Sequence, residues 1–271
     1  MTLLTLARSR RSVRSFDGKA LAEDEKKELL AFAAAAGNPY GIPLEWRLLD
    51  TETTGLSSPV IVGEKAFLAA KIRRVPHAEE ALGFSFERVV LHAAERGIGT
   101  TWIAGTMDRA AFERAAGLQE GEIMPCVTPI GRPAPKMSLR ETLMRKGISA
   151  DSRFPFEKLF FRGDFDTPLT EKDAGGLSDV LEAVRWAPSA CNYQPWRLLV
   201  TDGAVHFYLK RNKGFGEGRA FDTQKIDIGI ALCHFALAME EAEKAVTLST
   251  EDPDLPAEGL IYVASYVLNK E

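Results

Sequence analysis

No apolar run in the 271-residue sequence approaches the roughly twenty residues that a membrane-spanning helix needs. Cysteine is scarce: Cys126, Cys191 and Cys233 are an odd number at wide separations, with no Cys-x-x-Cys pair and no neighbouring histidine pair. That pattern argues against a disulfide framework and against a zinc site, and it fits a reducing cytoplasm. The four histidines, His77, His92, His206 and His234, are scattered, so the sequence offers no Ser-His-Asp constellation. Net positive charge is also missing. A formal charge of -4 provides no general attraction to nucleic acid or to an anionic membrane. What is present is ordinary globular composition, 45% hydrophobic and 27% charged residues. Such a chain can bury one large core or two smaller ones without covalent staples.

One stretch organises the rest, Ala187-Pro-Ser-Ala-Cys-Asn-Tyr-Gln-Pro-Trp196, followed at once by Arg197-Leu-Leu-Val200. Ahead of it Leu177, Val180, Leu181 and Val184 recur three and four apart, which predicts an amphipathic helix over 177–186. Pro188 ends that helix, because proline disfavours helical geometry in the residue before it and donates no hydrogen bond. The loop beyond is pinned by prolines at both ends and carries Ser189, Asn192 and Gln194. Hydroxyl and amide groups on a stiff backbone suit a flat heterocycle with mixed hydrogen-bonding edges. They equally suit the capping of a helix-to-strand connection, and local chemistry alone favours that plainer role.

The first fifteen residues contain no acid and are rich in arginine and serine. This is the composition of an organellar transit peptide or of a basic arm for nucleic acid. A third reading ranks above both: Arg10, Arg11 and Arg14 surround Ser12, a set of guanidinium forks and a hydroxyl suited to a phosphate group. A solvated basic terminus fits the same residues.

Taken in order, the chain next predicts a helix over Glu23–Ala36 and strands at Leu44–Leu49 and Pro59–Val62. A strong amphipathic helix follows from Glu79 to Arg96, closed by Gly97, and then Gly97-Ile-Gly-Thr-Thr-Trp-Ile-Ala-Gly105 as its exit loop. Asp108 is placed to cap a short helix to Ala116, and Met124–Ile130 reads as a strand. Residues 136–168 are basic early and rich in phenylalanine later, and read as a connection lying across a folded core rather than as a disordered linker. Then the pattern restarts. Leu169-Thr-Glu-Lys-Asp173 parallels Leu21-Ala-Glu-Asp-Glu25, and Trp196-Arg-Leu-Leu199 repeats Trp46-Arg-Leu-Leu49. A strand over Val205–Leu209, a helix over Ile226–Lys244 with Gly229 answering Gly83, and a last strand over Leu260–Leu268 complete the second copy.

The sequence is thus an internal duplication of helix, strand, strand, helix, strand, with one half over 1–160 and the other over 161–271. Fused copies commonly fold as an intramolecular version of a symmetric dimer. Each copy keeps what the other lost. The first has Asn38-Pro-Tyr-Gly-Ile-Pro-Leu-Glu45 where the second has its Pro-Ser loop, and the second has Arg162-Gly-Asp-Phe-Asp-Thr167 where the first has its basic cluster.

These motifs together, Arg10-Arg-Ser-Val-Arg-Ser-Phe16, Gly97-Ile-Gly-Thr-Thr-Trp102, Ile130-Gly-Arg-Pro133 and Ala187 to Trp196, stand in the order in which the nitroreductase-like flavoproteins carry them. Over nearly its whole length the chain resembles the fused, two-copy type of that family. The resemblance implies an α+β fold of two similar halves, each a mostly antiparallel sheet flanked by helices, acting as a monomeric pseudo-dimer. It also implies one retained site for flavin mononucleotide (FMN), which takes its basic cluster from one copy and its Pro-Ser loop from the other. Carried over residue by residue, Arg10, Ser12 and Arg14 would meet the phosphate, ribityl chain and pyrimidine edge, with Arg11 beside them. Pro188, Ser189, Ala190 and Asn192 would approach from the second copy, with Gln194 reaching the ring or supporting the loop. Ala104 and Gly105 would offer backbone N–H groups near flavin N5, and Arg132 and Arg153 would add phosphate contacts. The sequence departs from the family pattern at Cys191, a serine-like position, and at Ala104, where a glutamate is often found. A packed side chain is the expected role of Cys191.

The activity so implied is that of an FMN-dependent oxidoreductase in which NADH or NADPH reduces the flavin and a small flat acceptor, a nitroaromatic or quinone, takes the electrons. Flavin carries such chemistry itself, so no metal and no protein nucleophile are required. The alternative is a flavin-binding protein, a sensor or store without turnover. Neither nucleic acid nor membrane is an expected partner.

Overall fold

Six phenylalanine, leucine and valine side chains are buried along the longest helix of the first half of the chain, which packs on a second helix and on the central strand of a sheet. The computed structural model describes residues 1–215 and 220–269. The chain forms two compact units, Ser9–Ala150 on its own and Met1–Arg8 together with Asp151–Glu271. The division falls at 150/151 rather than at the 160/161 expected from the repeat. The first eight residues also belong with the later unit. Their segment is a helix, α1 (Leu3–Ser9), and not an arm. Leu6 and Ala7 are buried, the Leu3 N–H donates to Glu241, and Arg8 lies 2.8 Å from the buried Glu182. Burial pushes the Glu182 carboxyl up, but hydrogen bonds from Arg185, Arg8 and Trp186 outweigh it and hold the group below the usual carboxylate range.

In the Ser9–Ala150 unit, α2 (Glu23–Ala35) is opened by acidic residues, which suit the helix N-terminus. It packs on α4 (Ala78–Glu95), and both rest on a four-stranded antiparallel sheet. The sheet consists of β1 (Leu44–Asp50), β2 (Ala66–Arg73), β3 (Glu122–Ile123) and β4 (Val127–Ile130), with β2 central. A short helix, α3 (Thr51–Thr54), follows β1 with Asp50 as its cap. The expected strand at Pro59–Val62 is not one. Val62 makes a single bridge to Ser15, and Gly63 turns the chain with φ +80°. The central strand comes just after it, at β2. Asp108 caps α5 (Arg109–Ala116) by accepting from the Ala111 N–H at 3.1 Å. Gly97 closes α4 in the left-handed region. Within 136–150, expected as irregular connection, lies α6 (Leu139–Gly147), capped by Ser138.

In the second unit, the sheet order is β5 (Phe160–Arg162), β6 (Trp196–Val200), β7 (Ala204–Leu209), β9 (Ile261–Leu268), β8 (Val246–Ser249). Only the β5–β6 pair is parallel. Strands β5 and β8 had no counterpart in the sequence reading. Helix α7 (Ser178–Arg185) and the long α8 (Thr223–Glu241) pack against one another. Phe207, Phe235 and Tyr266, all buried, form the aromatic centre of this core. Among the described residues no helix is long and apolar enough to cross a membrane.

Candidate functional site

Residues 12–17 run extended through the first unit, stitched by backbone hydrogen bonds on three sides. The Val13 N–H donates to the Thr100 carbonyl, the Val62 N–H to Arg14 and the Ala134 N–H to Ser15, each at 2.9 Å. Gly99 is required by this packing, since a Cβ there would lie 2.9 Å from Val13 Cγ1. Arg11 reaches Glu141 at 2.7 Å, whose side chain is wholly buried. Arg10 and Arg14 each hold a buried Nη1 with no hydrogen-bond partner among the described residues. Burial lowers the affinity of both guanidinium groups for their protons. Glu87 opposes this at Arg10 and Glu141 opposes it at Arg14, while Arg145 repels both. Ser12 bridges to Thr100 on the same segment, and a shallow depression lined by Arg10, Arg11, Val13, Gly99 and Thr100 lies alongside.

Buried donors without acceptors are rare in folded proteins and cost roughly 1–3 kcal/mol each. Two of them on neighbouring arginines make a place for an anion. FMN brings a phosphate, so the residues present fit that group.

Arg132 is spent elsewhere, on an ion pair with Glu25 and a hydrogen bond to the Arg96 carbonyl. Its own carbonyl accepts from the Asp17 N–H at 3.0 Å. Ala104 and Gly105 lie in the bend after Ile103, Gly105 exposed. That bend is braced by Arg109, which donates to the carbonyls of Ala104, Met124 and Pro125 at 2.6, 2.8 and 3.1 Å. Nothing in the sequence marked Arg109 for this role, because its targets are backbone oxygens.

In the second unit the Pro188–Trp196 loop is held from inside and from below. The Ser189 Oγ accepts from the Gln194 N–H at 2.9 Å. Gln194 is buried, and its side chain accepts from the Phe154 N–H at 2.8 Å and donates to the Asn192 carbonyl at 3.1 Å. Gln194 therefore supports the loop. Asn192 donates to the Ser152 carbonyl, and Arg153 reaches Asn192 and the Trp186 carbonyl while its guanidinium lies 4.8 Å over the Trp186 ring. Arg153 thus braces the same loop. Cys191 is exposed rather than packed. Cys191, Asn192 and Gln194 adopt φ values of +51°, +57° and +46°, a left-handed geometry that costs non-glycine residues about 1–2 kcal/mol each. Such strain persists only where the surroundings over-determine it, and it gathers at ligand-binding segments. Pro188, Ser189 and Ala190 remain half-buried.

His92 stacks on Phe32 with centroids 3.6 Å apart and pairs with Glu28, while His234 is buried against the Ala183 carbonyl. Among the described residues no cluster of His, Cys, Asp and Glu could hold a metal ion.

Against this geometry the comparison with protein families is decisive: residues 2–239 match the family described as Putative TM nitroreductase. The chain belongs to that nitroreductase family. A solved structure described as a putative nitroreductase from Thermotoga maritima MSB8 is similar over 100% of this chain and 95% of its own, with TM-score 0.65 at 18% identity. An FMN-dependent nitroreductase from Clostridium difficile R20291 matches 52% of this chain and 94% of its own, with 15% identity and TM-score 0.42. Iodotyrosine deiodinase, solved with FMN and 3-iodo-L-tyrosine, matches 51% of this chain and 92% of its own, with 15% identity and TM-score 0.43. No curated protein matches the chain. The chain thus has the nitroreductase-like α+β fold, and its family is one of oxidoreductases.

Proposed function

We propose that this nitroreductase-family chain binds one FMN and acts as an oxidoreductase, taking electrons from NADH or NADPH and delivering them to a small flat acceptor such as a nitroaromatic or a quinone. Bound FMN would supply the redox chemistry. The chain's residues bind and orient it: Arg10, Ser12 and Arg14 toward phosphate and ribityl chain, with Pro188, Ser189, Ala190 and Asn192 as further contacts. Gln194 and Arg153 keep the loop in shape, and Ala104 and Gly105 would offer their backbone N–H groups to the ring. The observation that carries this reading is the pair of buried Nη1 atoms on Arg10 and Arg14 that find no hydrogen-bond partner among the described residues, in a chain of this family. One basic segment and one Pro-Ser loop per chain give one flavin per chain, and the single chain suffices as an intramolecular pseudo-dimer.

Turnover separates an enzyme from a flavin store. Anaerobic mixing of the FMN-loaded protein with excess NADH or NADPH should bleach the flavin absorbance within seconds to minutes, and a nitroaromatic or quinone should restore it. Steady-state rates with both substrates varied should then give the parallel lines of alternating reduction and reoxidation. A flavin that stays oxidised with both donors over many minutes would leave a binding protein and remove the enzyme.

A further inference from the structure

Beneath the strained loop of the second unit lies a carboxyl group that no motif announces. Asp227 sits one turn into α8, is 3% exposed, and accepts the Ala190 N–H on Oδ1 at 2.9 Å. Its Oδ2 is buried without a hydrogen-bond partner among the described residues. We propose that Asp227 is a positioning residue for this loop: by holding the Ala190 N–H it sets the left-handed course of Cys191 and Asn192, and with it the placement of Ser189 and Asn192 toward FMN.

The placement is specific. Ala190 is the residue at which the chain leaves the extended Ser189, with φ -147°, for the left-handed pair Cys191 and Asn192. The other ties of the loop, from Phe154, Ser152 and Arg153, engage Asn192 and Gln194. Asp227 reaches its first half from α8. The corresponding residue of the first copy, counted from Gly83 against Gly229, is Ala81. That copy has no Pro-Ser loop to hold.

The carboxyl acts in its neutral form. No described cation forms an ion pair with it, and the charge that bears on it is that of Asp222, whose own carboxylate is matched by Arg211 at 2.6 Å. A buried carboxylate with one amide donor and an empty second oxygen is far costlier than the protonated acid. Burial pushes the group well above the usual carboxylate range, with Asp222 adding to the shift and the Ala190 N–H opposing it. Asparagine is the closest neutral mimic of the acid in this setting, with its carbonyl oxygen as the acceptor for Ala190 and an amide nitrogen, bearing two N–H donors, where the acid has its single O–H.

The part of the proposal that concerns FMN rests on the reading above, so the test has an arm that needs no flavin. Amide hydrogen exchange is followed over residues 189–194 in the flavin-free full-length protein, and FMN affinity is measured by fluorescence quenching, for wild type, Asp227→Asn and Asp227→Ala. Asp227→Val, closer in volume, replaces the alanine variant should circular dichroism show it unfolded. Asp227→Asn is expected to match wild type within about twofold in both measurements. Loss of the acceptor should speed exchange in 189–194 about tenfold and weaken FMN about tenfold, roughly the worth of one buried hydrogen bond. Exchange and affinity unchanged in the alanine or valine variant would overturn the positioning role. An asparagine variant as impaired as alanine would overturn the neutral form. Should wild type bind no FMN, the flavin reading fails by itself, and the exchange arm still decides whether Asp227 holds the loop.

Discussion

Replacing Arg10 or Arg14 by alanine is expected to weaken FMN binding by about one to two orders of magnitude. Each guanidinium presents a buried Nη1 that finds no acceptor within the described chain, and an arriving phosphate converts that cost into a charge-assisted hydrogen bond. Such a bond to a charged group contributes roughly 1.5–3 kcal/mol, and 1.4 kcal/mol is a factor of ten in affinity. Lysine in place of either arginine keeps the charge but loses the planar fork, so it should recover only part of the loss. Arg47→Ala serves as the control, since Arg47 is an exposed residue paired with Glu45. Fluorescence titrations in which both alanine variants bind FMN as tightly as wild type would return these arginines to a purely structural role.

The second large effect is expected at Gly63, where stability and site geometry meet. Gly63 holds φ +80°, and a Cβ on it would lie 2.5 Å from the Phe16 carbonyl oxygen. Both penalties act on Gly63→Ala. A left-handed non-glycine residue costs about 1–2 kcal/mol, and forcing atoms apart in a packed interior a further 1–3 kcal/mol or so. The sum, roughly 2–5 kcal/mol, corresponds to a fall in melting temperature on the order of 4–9 °C for a chain this size. The backbone that must move carries the basic segment, because the Phe16 N–H donates to the Val62 carbonyl at 2.8 Å. Thermal unfolding followed by circular dichroism checks the loss. A melting temperature within a degree or two of wild type would show that the 62–64 turn yields without disturbing Phe16.

The loop at 188–195 and several helix ends were legible because their signals are local. Pro188 and Pro195 bracket a loop whose polar residues the backbone alone would notice, and Gly97 and Asp108 punctuate helices by mechanisms that act within one turn. The resemblance of the motifs to a flavoprotein family added what local chemistry left open. The elements that escaped are those whose identity is set by distant partners. Strand β2 reads Ala-Phe-Leu-Ala-Ala-Lys-Ile-Arg, alanine-rich and interrupted by a lysine, so nothing in it announces the centre of a sheet. Lys71 is nevertheless 3% exposed, because Glu45, Glu122 and the Gly117 carbonyl gather around its ammonium at 3.2, 3.1 and 2.9 Å. Helix α1 was hidden in the same way: its basic composition suggested an arm, and what orders it is Glu182, more than 170 residues away. Arg132 and Arg153 were expected as phosphate ligands from the resemblance and from their charge. Charge does not tell which acceptor is nearer, and in the fold these are Glu25 and the carbonyls of Arg96 and Trp186. Asp227 lay concealed in the apolar stretch 226–232 of α8, where one acid gives no periodic signal.

The central claim, one FMN on one chain, is tested most directly by incubating the purified full-length protein with excess FMN and passing it through gel filtration with light scattering. Absorbance near 450 nm is then compared with protein concentration. The account predicts a yellow species with the mass of one 29.8 kDa chain and a flavin-to-chain ratio close to one. A colourless protein, two flavins per chain, or colour carried only by a dimer would contradict it.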